Sequence, residues 1–559
     1  MPARIFVNQV GYMSALPKIA SVCGKAKQFS LIDTRTDEVV FTNDLTKPIH
    51  DKGSGDKVSL ADFSEFSDIG RYRIKVGNAL SPSFEISDIP YAELLDDVKK
   101  TMYFARCGTA LHTIRAGKFR RKICHAEPVP LFDDTSVLLD VTGGWHGAGD
   151  YSRSVVQTCL SLAYMLYSYS LFPNVFKDAK GVTDTGRACP QIIEECLYGL
   201  EWLLKMQDKD GGVYHRVSSR LFADGVLPSE DKKQLFVFRK TASATINFAA
   251  VTALATRILE PLGLRIIKNL RPAATAAWAW VLNNMDDKPF KNPKSVSAPE
   301  YSDPDLRDDR FWAMAELYQL TGEEKFLDDI DILCDEIDTS KFTVYSHAGF
   351  GTLACLFAPK KIHEETAAAL RDIVIFNAEK VCSVTKHSGY NVSLARDDYA
   401  LPSNLTVLSN ATTLIVADMA KKNGYFSGNV QHQLNYLLGN NPLGQSYITG
   451  HGEKCIRFPH YRPTLSLINE ETLPGLLVCG PDKGRNDEYS RWLLPYGTPP
   501  AKCHIDKAHS YATNEPSIYL SSAMMFVLGY LSNLAIPEKE SPLERALRER
   551  KLERRKIPE

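Results

Sequence analysis

The sequence predicts a mainly α-helical protein in which a small all-β sandwich domain precedes a double ring of helices. Two observations lead to this fold class. Seven short β-rich runs separated by turns occupy residues 4–88, and beyond Pro90 long segments carry apolar residues at helical spacing. The length of 559 residues suits two unequal domains. We place these domains at 1–89 and 90–536, with a charged tail at 537–559.

The β-rich runs follow one another at intervals of about 8 to 12 residues, a spacing typical of a β-sandwich. In chain order they are RIFVNQV, KIASVC, KQFSLIDT, EVVFTN, KVSLADF, GRYRIKV and PSFEIS. We therefore predict a sandwich over the first 89 residues, and we expect it to pack against the helical ring.

The helical segments number about twelve, including a weaker one near 348–358. They span 91–113, 153–172, 191–207, 243–261, 273–285, 308–321, 323–337, 348–358, 363–383, 405–423, 428–438 and 515–534. Twelve helices with long loops between them suit a ring of six inner and six outer helices whose loops build a site at one end. The tail is too charged to present a wide apolar face, so we expect a solvated or frayed helix there.

Composition limits the partners of the protein. Lys and Arg total 66 and Asp and Glu total 67, which gives a formal net charge of −1. No overall field therefore attracts nucleic acid, a membrane or a polyanion, and we expect a neutral substrate and a monomeric protein. The N-terminus, MPARIFVNQVGYM, lacks the features of a signal peptide, and no apolar run of 18 residues occurs. We expect a cytoplasmic location, although a secreted chain already cleaved of its signal would look the same.

A glycine-rich stretch, GGWHGAGDY at 143–151, presents a single carboxylate at Asp150. Glycines let a loop bring a carboxylate close to a ligand without side chains in the way. A second candidate, Glu515, lies in HSYATNEPSIYL, where it precedes Pro516 and a long apolar helix. Each acid has an alternative structural role. Asp150 could cap the next helix, and Glu515 could be a helix-start residue whose pKa the helix dipole lowers.

Several motifs occur together in one order along the chain. They are IFVNQVGY with PKIA, RCG at 106–108, CH at 124–125, GGWHGAGDY, GGVYH at 211–215, LLGNNP at 437–442, SYITGHG at 446–452, PHYR at 459–462, GP at 480–481 and SYATNEP at 510–516. In this order the chain resembles glycoside hydrolase family 9, the cellulases that carry an N-terminal immunoglobulin-like domain. The resemblance implies an (α/α)6 barrel and inverting hydrolysis of β-1,4-glucans or related oligosaccharides. It also implies that Asp150 is the general base and Glu515 the general acid, two carboxyls that stand about 6.5–9.5 Å apart in inverting enzymes.

The glycine-rich stretch departs from the family pattern at one position. The family usually has Asp-Ala-Gly-Asp, in which both aspartates hold the attacking water, whereas this chain has Gly147-Ala148-Gly149-Asp150. Loss of one charge-assisted hydrogen bond costs about 1.5–3 kcal/mol, or about tenfold to a hundredfold in rate. Four explanations fit this departure: another group replaces the missing aspartate, the substrate is unusual, the activity is low, or Gly147 is an engineered change. The sequence leaves these alternatives open.

Four potential metal ligands lie close to the predicted base in the sequence. Cys107, Cys124, His125 and His146 form a Cys-x16-Cys-His-x20-His pattern. Two thiolates and two imidazoles make a closed tetrahedral zinc set, although the spacing differs from zinc fingers and the alternative is ordinary core residues. The resemblance implies a structural zinc here, which would fix the loop ahead of Asp150. His146 could instead contact the sugar.

Calcium is a second metal that the resemblance implies, at a pair of acidic residues that opens a helix. Asp308 and Asp309 match that pair, but the usual later aspartate is not evident in TVYSHAGFGTL. The DKDGG stretch at 208–212 could be a partial calcium loop, or simply an interhelical turn.

Substrate contacts are predicted from the same resemblance. It places His460 and Arg462 near the subsite of the cleaved sugar and turns Tyr511 toward the cleft. Aromatic faces bind sugar rings, so the candidate stacking residues are Trp145, Tyr151, Trp312 and Trp492. Each of these could instead be a core residue, and we expect Trp312 to be one.

Three functions compete at this point. The first is an inverting endoglucanase. The second is an exo-acting cytoplasmic β-glucosidase or glucosaminidase on imported oligosaccharides, which the missing signal peptide suggests. The third is a low-activity homologue that binds carbohydrate, to which the missing first aspartate points.

Overall fold

The computed structural model describes residues 2–178, 180–182, 186, 188–465 and 472–536. Strands dominate up to residue 87, and helices dominate from residue 92 onward. The predicted domain boundary at 89/90 falls between these two regions. The predicted tail at 537–559 lies outside the described residues.

The N-terminal strands form two sheets packed face to face. They are β1 Arg4–Phe6, β2 Gly11–Met13, β3 Ile19–Cys23, β4 Gln28–Asp33, β5 Val39–Asp44, β6 Ile49–His50, β7 Lys57–Asp62, β8 Gly70–Val76, β9 Ala79–Leu80 and β10 Phe84–Ser87. One sheet has the order β1-β3-β7-β6, and the other has β2-β10-β8-β4-β5 with β9 beside β8. The pairs are antiparallel except for β2 and β10, in which Gly11 is opposite Glu85.

The sandwich core follows from alternation along the strands. In β8, Tyr72, Ile74 and Val76 are buried, while Arg71 and Lys75 face solvent. The buried residues join Phe29, Leu31 and others in one core between the sheets. All seven predicted β-rich runs contain a strand, and the predicted all-β sandwich is confirmed.

Twelve helices of ten residues or more follow in the described part of the chain. They are α1 Ala92–Ala105, α2 Val155–Leu171, α3 Gln191–Met206, α4 Ala242–Leu259, α5 Ile267–Leu282, α6 Arg307–Thr321, α7 Lys325–Glu336, α8 Ala348–Phe357, α9 Glu364–His387, α10 Ser403–Lys421, α11 Ser427–Leu437 and α12 Ile518–Leu534. Shorter helices are Thr113–Ala116, Arg462–Leu465, Glu488–Leu493 and Tyr511–Asn514, with 3-10 turns at Gly117–Phe119, Glu260–Leu262 and Pro500–Lys502.

The even-numbered long helices form the inner ring of the barrel. They are buried on nearly all sides, as in α4 and α12, whereas an outer helix such as α9 buries one face and exposes the other. Each inner helix packs on the next, and α12 packs on α2 to close the ring. The predicted (α/α)6 barrel is confirmed.

Short strands in the loops complete the structure. They are β11 Val129–Pro130, β12 Leu138–Leu139, β13 Arg153–Ser154, β14 Gly181–Val182, β15 Ala188–Cys189, β16 Arg216–Ser219, β17 Leu235–Val237, β18 Ser446–Thr449 and β19 Cys455–Ile456. Strands β13, β16 and β17 form an antiparallel sheet beside the start of α2.

Among the helix ends that differ from the prediction, two are set by contacts close to the site. Helix α1 ends at Ala105 because Arg106 pairs with Trp145 in a β-bridge. Helix α12 begins at Ile518, where the Ser517 hydroxyl accepts a hydrogen bond from the backbone N–H of Leu520. Glu515 therefore lies just outside the helix.

The sandwich packs directly on the barrel through polar contacts. Asn8 donates to the side chain of Asn435 at 2.9 Å, and the backbone N–H of Met13 donates to Gln431 at 3.0 Å. The backbone of Gln9 donates to Leu438 at 3.0 Å. These contacts seat β1 and β2 on α11 and fix the two domains against each other.

One stretch, Ala242–Leu262, is long and apolar enough to span a membrane by length and composition alone. It contains α4, and 94% of its most apolar window is buried inside the protein. In this fold it is a helix of the inner ring.

Candidate active site

Asp150 and Glu515 meet where the inner ring closes. Asp150 lies shortly before α2 and Glu515 shortly before α12, and these two helices are neighbours. The backbone N–H of Ile518 donates to the carbonyl of Gly147 at 3.0 Å, which ties the two loops together. Ring closure thus brings together two acids that are far apart in the sequence.

Gly149 permits the closest contact between these loops. Its N–H donates to Oε1 of Glu515 at 3.1 Å, and its carbonyl accepts from Nη1 of Arg462 at 3.0 Å. A Cβ at position 149 would collide with the carbonyl oxygen of His460. Only glycine therefore fits between the base loop and the acid, in agreement with the reason predicted for the glycines.

Glu515 has the electrostatics of a proton donor. Burial, and then the negative charge of Asp150, raise its pKa to about 8, against the opposing effects of Arg462 and the Gly149 hydrogen bond. The carboxyl is therefore protonated at neutral pH. Because Ser517 caps α12, the alternative role of Glu515 as a helix-start residue is wrong.

Asp150 is buried and held by its neighbour. Both carboxylate oxygens accept from the Ser152 hydroxyl at 2.8 Å. Burial lowers the pKa of the Arg216 guanidinium to about 10. The negative charge of Asp150 acts against this shift. Helix α2 begins at Val155 after the N-cap Ser154, so Asp150 does not cap it.

Gln157 and Tyr301 are site residues that the sequence analysis missed. Gln157, in the first turn of α2, donates from Nε2 to the Tyr301 hydroxyl. Burial, followed by the charges of Tyr519, Asp150 and Glu515, keeps the pKa of Tyr301 well above its usual value. No motif marks either residue, because they meet only in the folded ring.

The segment that carries Tyr301 is fixed by the GGVYH region. Nε2 of His215 lies 2.8 Å from the carbonyl oxygen of Glu300, within hydrogen-bond distance. Nη1 of Arg216 donates to the Pro299 carbonyl at 2.6 Å. Burial lowers the pKa of His215 to about 3, so the ring is neutral. The role of this region in the structure is to hold the loop that carries Tyr301.

The four predicted zinc ligands lie together. Cys107, Cys124, His125 and His146 offer ligand atoms that are all within 4.8 Å of one another. They meet because the backbone N–H of Cys107 donates to Gly144 at 2.7 Å and that of His146 donates to Ala105 at 2.8 Å. Nε2 of His146 is buried without a hydrogen-bond partner. This orphaned nitrogen and the N2S2 donor set fit a tetrahedral zinc site.

Asp231 and Tyr151 surround this cluster. Oδ2 of Asp231 lies 3.4 Å from Nε2 of His125. The Tyr151 ring packs on His146 at a centroid distance of 4.9 Å, and its hydroxyl donates to the carbonyl of Val226. Tyr151 is buried, so its predicted role as a sugar-stacking residue is wrong.

Trp145 is a second residue whose predicted sugar-stacking role does not agree with its place in the structure. Its side chain is 0% exposed, and it packs so tightly on α3 that a Cβ at Gly199 would collide with the indole. The backbone bridge to Arg106 turns this ring into the core. The predicted sugar contact is therefore wrong for Trp145, whereas Trp312 is a core residue as expected.

Three other predicted substrate residues lie near the acids, namely His460, Arg462 and Tyr511. His460 is half-buried, with Nδ1 close to the Ala508 carbonyl, and burial lowers its pKa. Arg462 holds the carbonyls of Gly149 and Ala223. Tyr511 is 43% exposed, and its ring centroid lies 6.4 Å from that of His460. Trp492 is 78% exposed. Their sugar contacts stay predictions.

A second cluster contains the predicted calcium residues. Asp308, Asp309 and His347 place ligand atoms within 4.8 Å of one another. His347 lies in the TVYSHAGFGTL segment, where the family pattern has its later aspartate. Its imidazole brings a nitrogen donor to the cluster, whereas calcium prefers oxygen ligands. In the DKDGG stretch, Asp208 and Asp210 pair with Lys240 at 2.8 and 2.6 Å, so this stretch is a turn held by lysine.

Comparison with known families covers almost the whole chain. The family described as Glycosyl hydrolase family 9 matches residues 91–528, and the Cellulase N-terminal ig-like domain matches residues 1–81. Among characterised relatives, a cellodextrinase of Butyrivibrio fibrisolvens is 32% identical over 94% of this chain and 99% of its own length.

Solved structures agree with this match. A metagenome-derived family 9 endoglucanase superposes with a TM-score of 0.88 at 29% identity, over 95% of this chain and 99% of that one. A Zn-binding triple mutant of the family 9 endoglucanase J30 also has a TM-score of 0.88, at 28% identity over 93% and 99% of the two chains.

Proposed function

The chain belongs to glycosyl hydrolase family 9, and we propose that it is an endo-acting enzyme that hydrolyses β-1,4-glucosidic bonds of cellulose-like glucans with inversion. One observation carries the proposal. A carboxyl that is protonated at neutral pH, Glu515, lies beside a buried carboxylate, Asp150, at the end of the barrel where the ring closes. This is the pair of proton donor and acceptor that inverting hydrolysis requires.

The reaction follows from one proton donor and one proton acceptor. Glu515 gives its proton to the glycosidic oxygen as the bond to the anomeric carbon breaks. Asp150 takes a proton from the water that attacks the opposite face of that carbon. The new hydroxyl therefore has inverted configuration. Proton exchange with solvent then returns Glu515 to the acid form and Asp150 to the carboxylate.

Arg462 positions the acid and tunes it. Its guanidinium holds the Gly149 carbonyl, and the N–H of the same glycine holds Glu515. Its positive charge lowers the pKa of Glu515, against burial and Asp150. The acid therefore remains protonated at neutral pH and is still strong enough to give up its proton.

The substrate proposed for this site is a neutral glucan chain. The net charge of −1 matches a neutral ligand, and exposed Tyr511 and Trp492 offer aromatic faces to sugar rings. The endoglucanase among the similar structures supports endo cleavage. Retention of both acids argues against a homologue that only binds carbohydrate.

We also propose that Cys107, Cys124, His125 and His146 hold a structural zinc ion. When bound, the ion would supply a fixed crosslink, since four protein ligands leave no position for a reactive water. The residues around it would then join the base loop to the segment that carries Val226 and Asp231. Calcium binding at Asp308 and Asp309 has weaker support, because His347 brings a nitrogen donor to that cluster.

A cytoplasmic location is proposed on one further observation. All twelve cysteines lie in the described part of the chain, and none of them is in a disulfide. Free thiols are the expected state in a reducing compartment. Gel filtration would test the monomeric state that we expect.

The direct test of the proposed function is product analysis on a panel of β-glucans, with Asp150→Asn as the control. Early internal products from cellohexaose would support endo cleavage. Release of single sugars from one end would contradict it.

A further inference from the structure

Gln157 has no place in the two-acid reaction, yet its side chain lies against the base loop. It is 2% exposed, and a Cβ added to Gly147 would collide with its Oε1 and lie 3.3 Å from its Cδ. The carboxamide therefore fills the space that any side chain at position 147 would need.

The backbone at Gly147 is fixed, so this contact is not adjustable. Its N–H donates to the Ser152 carbonyl at 2.8 Å, and its carbonyl accepts from Ile518 at 3.0 Å. Ser152 is also the residue that holds Asp150. Gln157 thus packs on the short loop that positions Asp150. The same loop is hydrogen-bonded to the start of α12.

The other end of the carboxamide is bound to Tyr301. Because the Tyr301 oxygen accepts from Nε2 of Gln157, the phenol proton remains available for a further acceptor. The carboxamide that fills the space beside Gly147 therefore also holds this phenol, which places the phenol one side chain away from the loop of Asp150. A water activated by Asp150 would lie beside the same loop.

We propose that Gln157 is a positioning residue of the hydrolysis, which fixes the Tyr301 hydroxyl so that it holds the attacking water for Asp150. The inference rests on the proposed function. The pair Gln157–Tyr301 is neutral, so it supplies a hydrogen bond to the water without adding a second negative charge beside Asp150 and Glu515. In this chain the Gln157–Tyr301 pair holds the water. Gly147 cannot do so, because it has no side chain.

Two substitutions of similar size test the role of the carboxamide. Gln157→Leu removes the hydrogen bond to Tyr301, and we expect kcat to fall about tenfold while KM changes less than about twofold. Gln157→Glu adds a carboxylate near Asp150, and we expect the acidic limb of the kcat/KM profile to move to higher pH. Gln319→Leu is the matched control, since Gln319 is a buried glutamine in α6 bound to Lys360. It should lower thermal stability and leave kcat unchanged.

A combined substitution tests whether positions 147 and 157 share one space. Gly147→Asp alone should lower activity, because the new side chain collides with Gln157. Gly147→Asp together with Gln157→Ala should be more active than Gln157→Ala alone, because the aspartate can then hold the water. A double variant no better than Gln157→Ala would overturn the shared-space argument.

The outcomes separate the inference from the proposed function. If wild-type protein releases reducing ends but Gln157→Leu has the same kcat and pH profile, the inference is overturned and the hydrolase remains. If wild type is no more active than Asp150→Asn, the proposed function fails, and the inference fails with it.

Discussion

The backbone N–H of Gly149 donates a hydrogen bond to Oε1 of Glu515 across a sequence separation of 366 residues. This contact joins the loop before α2 to the loop before α12, the two inner helices that close the barrel. Asp150, the proposed general base, is the next residue after Gly149. A single glycine therefore joins Glu515 to the loop that carries Asp150.

Removal of the acid should abolish turnover of substrates that have poor leaving groups. We expect Glu515→Gln to lower kcat on cellohexaose by about 10²–10⁴-fold, because the leaving oxygen then receives no proton. Binding should change little, as the amide retains the size of the carboxyl. Initial rates and calorimetric affinity for cello-oligosaccharides would measure both effects, and wild-type turnover in this variant would refute the role.

The alkaline limb of the activity profile should report Glu515. Its pKa of about 8 means that the acid form is lost as pH rises above that value, so kcat/KM should fall there. Arg462→Met removes a charge that lowers this pKa, and we expect the limb to move to higher pH. The same variant should lower kcat, because the Gly149 carbonyl keeps the hydrogen bond from the backbone N–H of residue 462 but loses the one from the guanidinium. An alkaline limb that does not move would contradict the assigned contact.

Stability should depend on the same carboxyl, and it should also fall as pH rises. Because the pKa of Glu515 is raised on folding, the folded state binds more protons than the unfolded state between about pH 4.5 and 8. The free energy of unfolding should therefore fall as pH rises through this range. Glu515→Gln should melt at the same temperature as wild type near pH 4 and at a higher temperature near pH 9. Equal melting temperatures at both pH values would contradict burial of the acid.

Zinc should bind near stoichiometrically and stabilise the fold. Elemental analysis of purified protein should find about one zinc per chain, and Cys107→Ser should lose the metal and melt at a lower temperature. Cys196→Ser is the matched control, because Cys196 is a buried thiol outside the cluster. Asp231→Asn should weaken zinc affinity about 10–100-fold, since it removes the partner of the His125 ring. A metal-free wild type would contradict the site.

The sequence predicted those parts of the structure that local patterns encode. Helical periodicity located the long helices, and the order of motifs paired Asp150 with Glu515. Spacing could not reveal Gln157 or Tyr301, because their contact depends on how α2 packs beside the segment that His215 and Arg216 hold.

Trp145 shows the limit of reasoning from residue type. A tryptophan in a glycine-rich loop near an acid resembles a sugar platform, but a backbone bridge to Arg106 turns it onto Gly199 in the core. Tyr151 is misassigned for a related reason, since its ring covers the metal cluster. Side-chain direction in such loops is set by tertiary contacts that no short motif contains.

The most direct test of the account is the rate of reducing-end release from a soluble β-1,4-glucan by wild type and Asp150→Asn. The account predicts steady release by wild type and a loss of at least about 10²-fold in the variant, since water then has no base. Equal rates for the two proteins would contradict the pairing of these acids as the catalytic machinery.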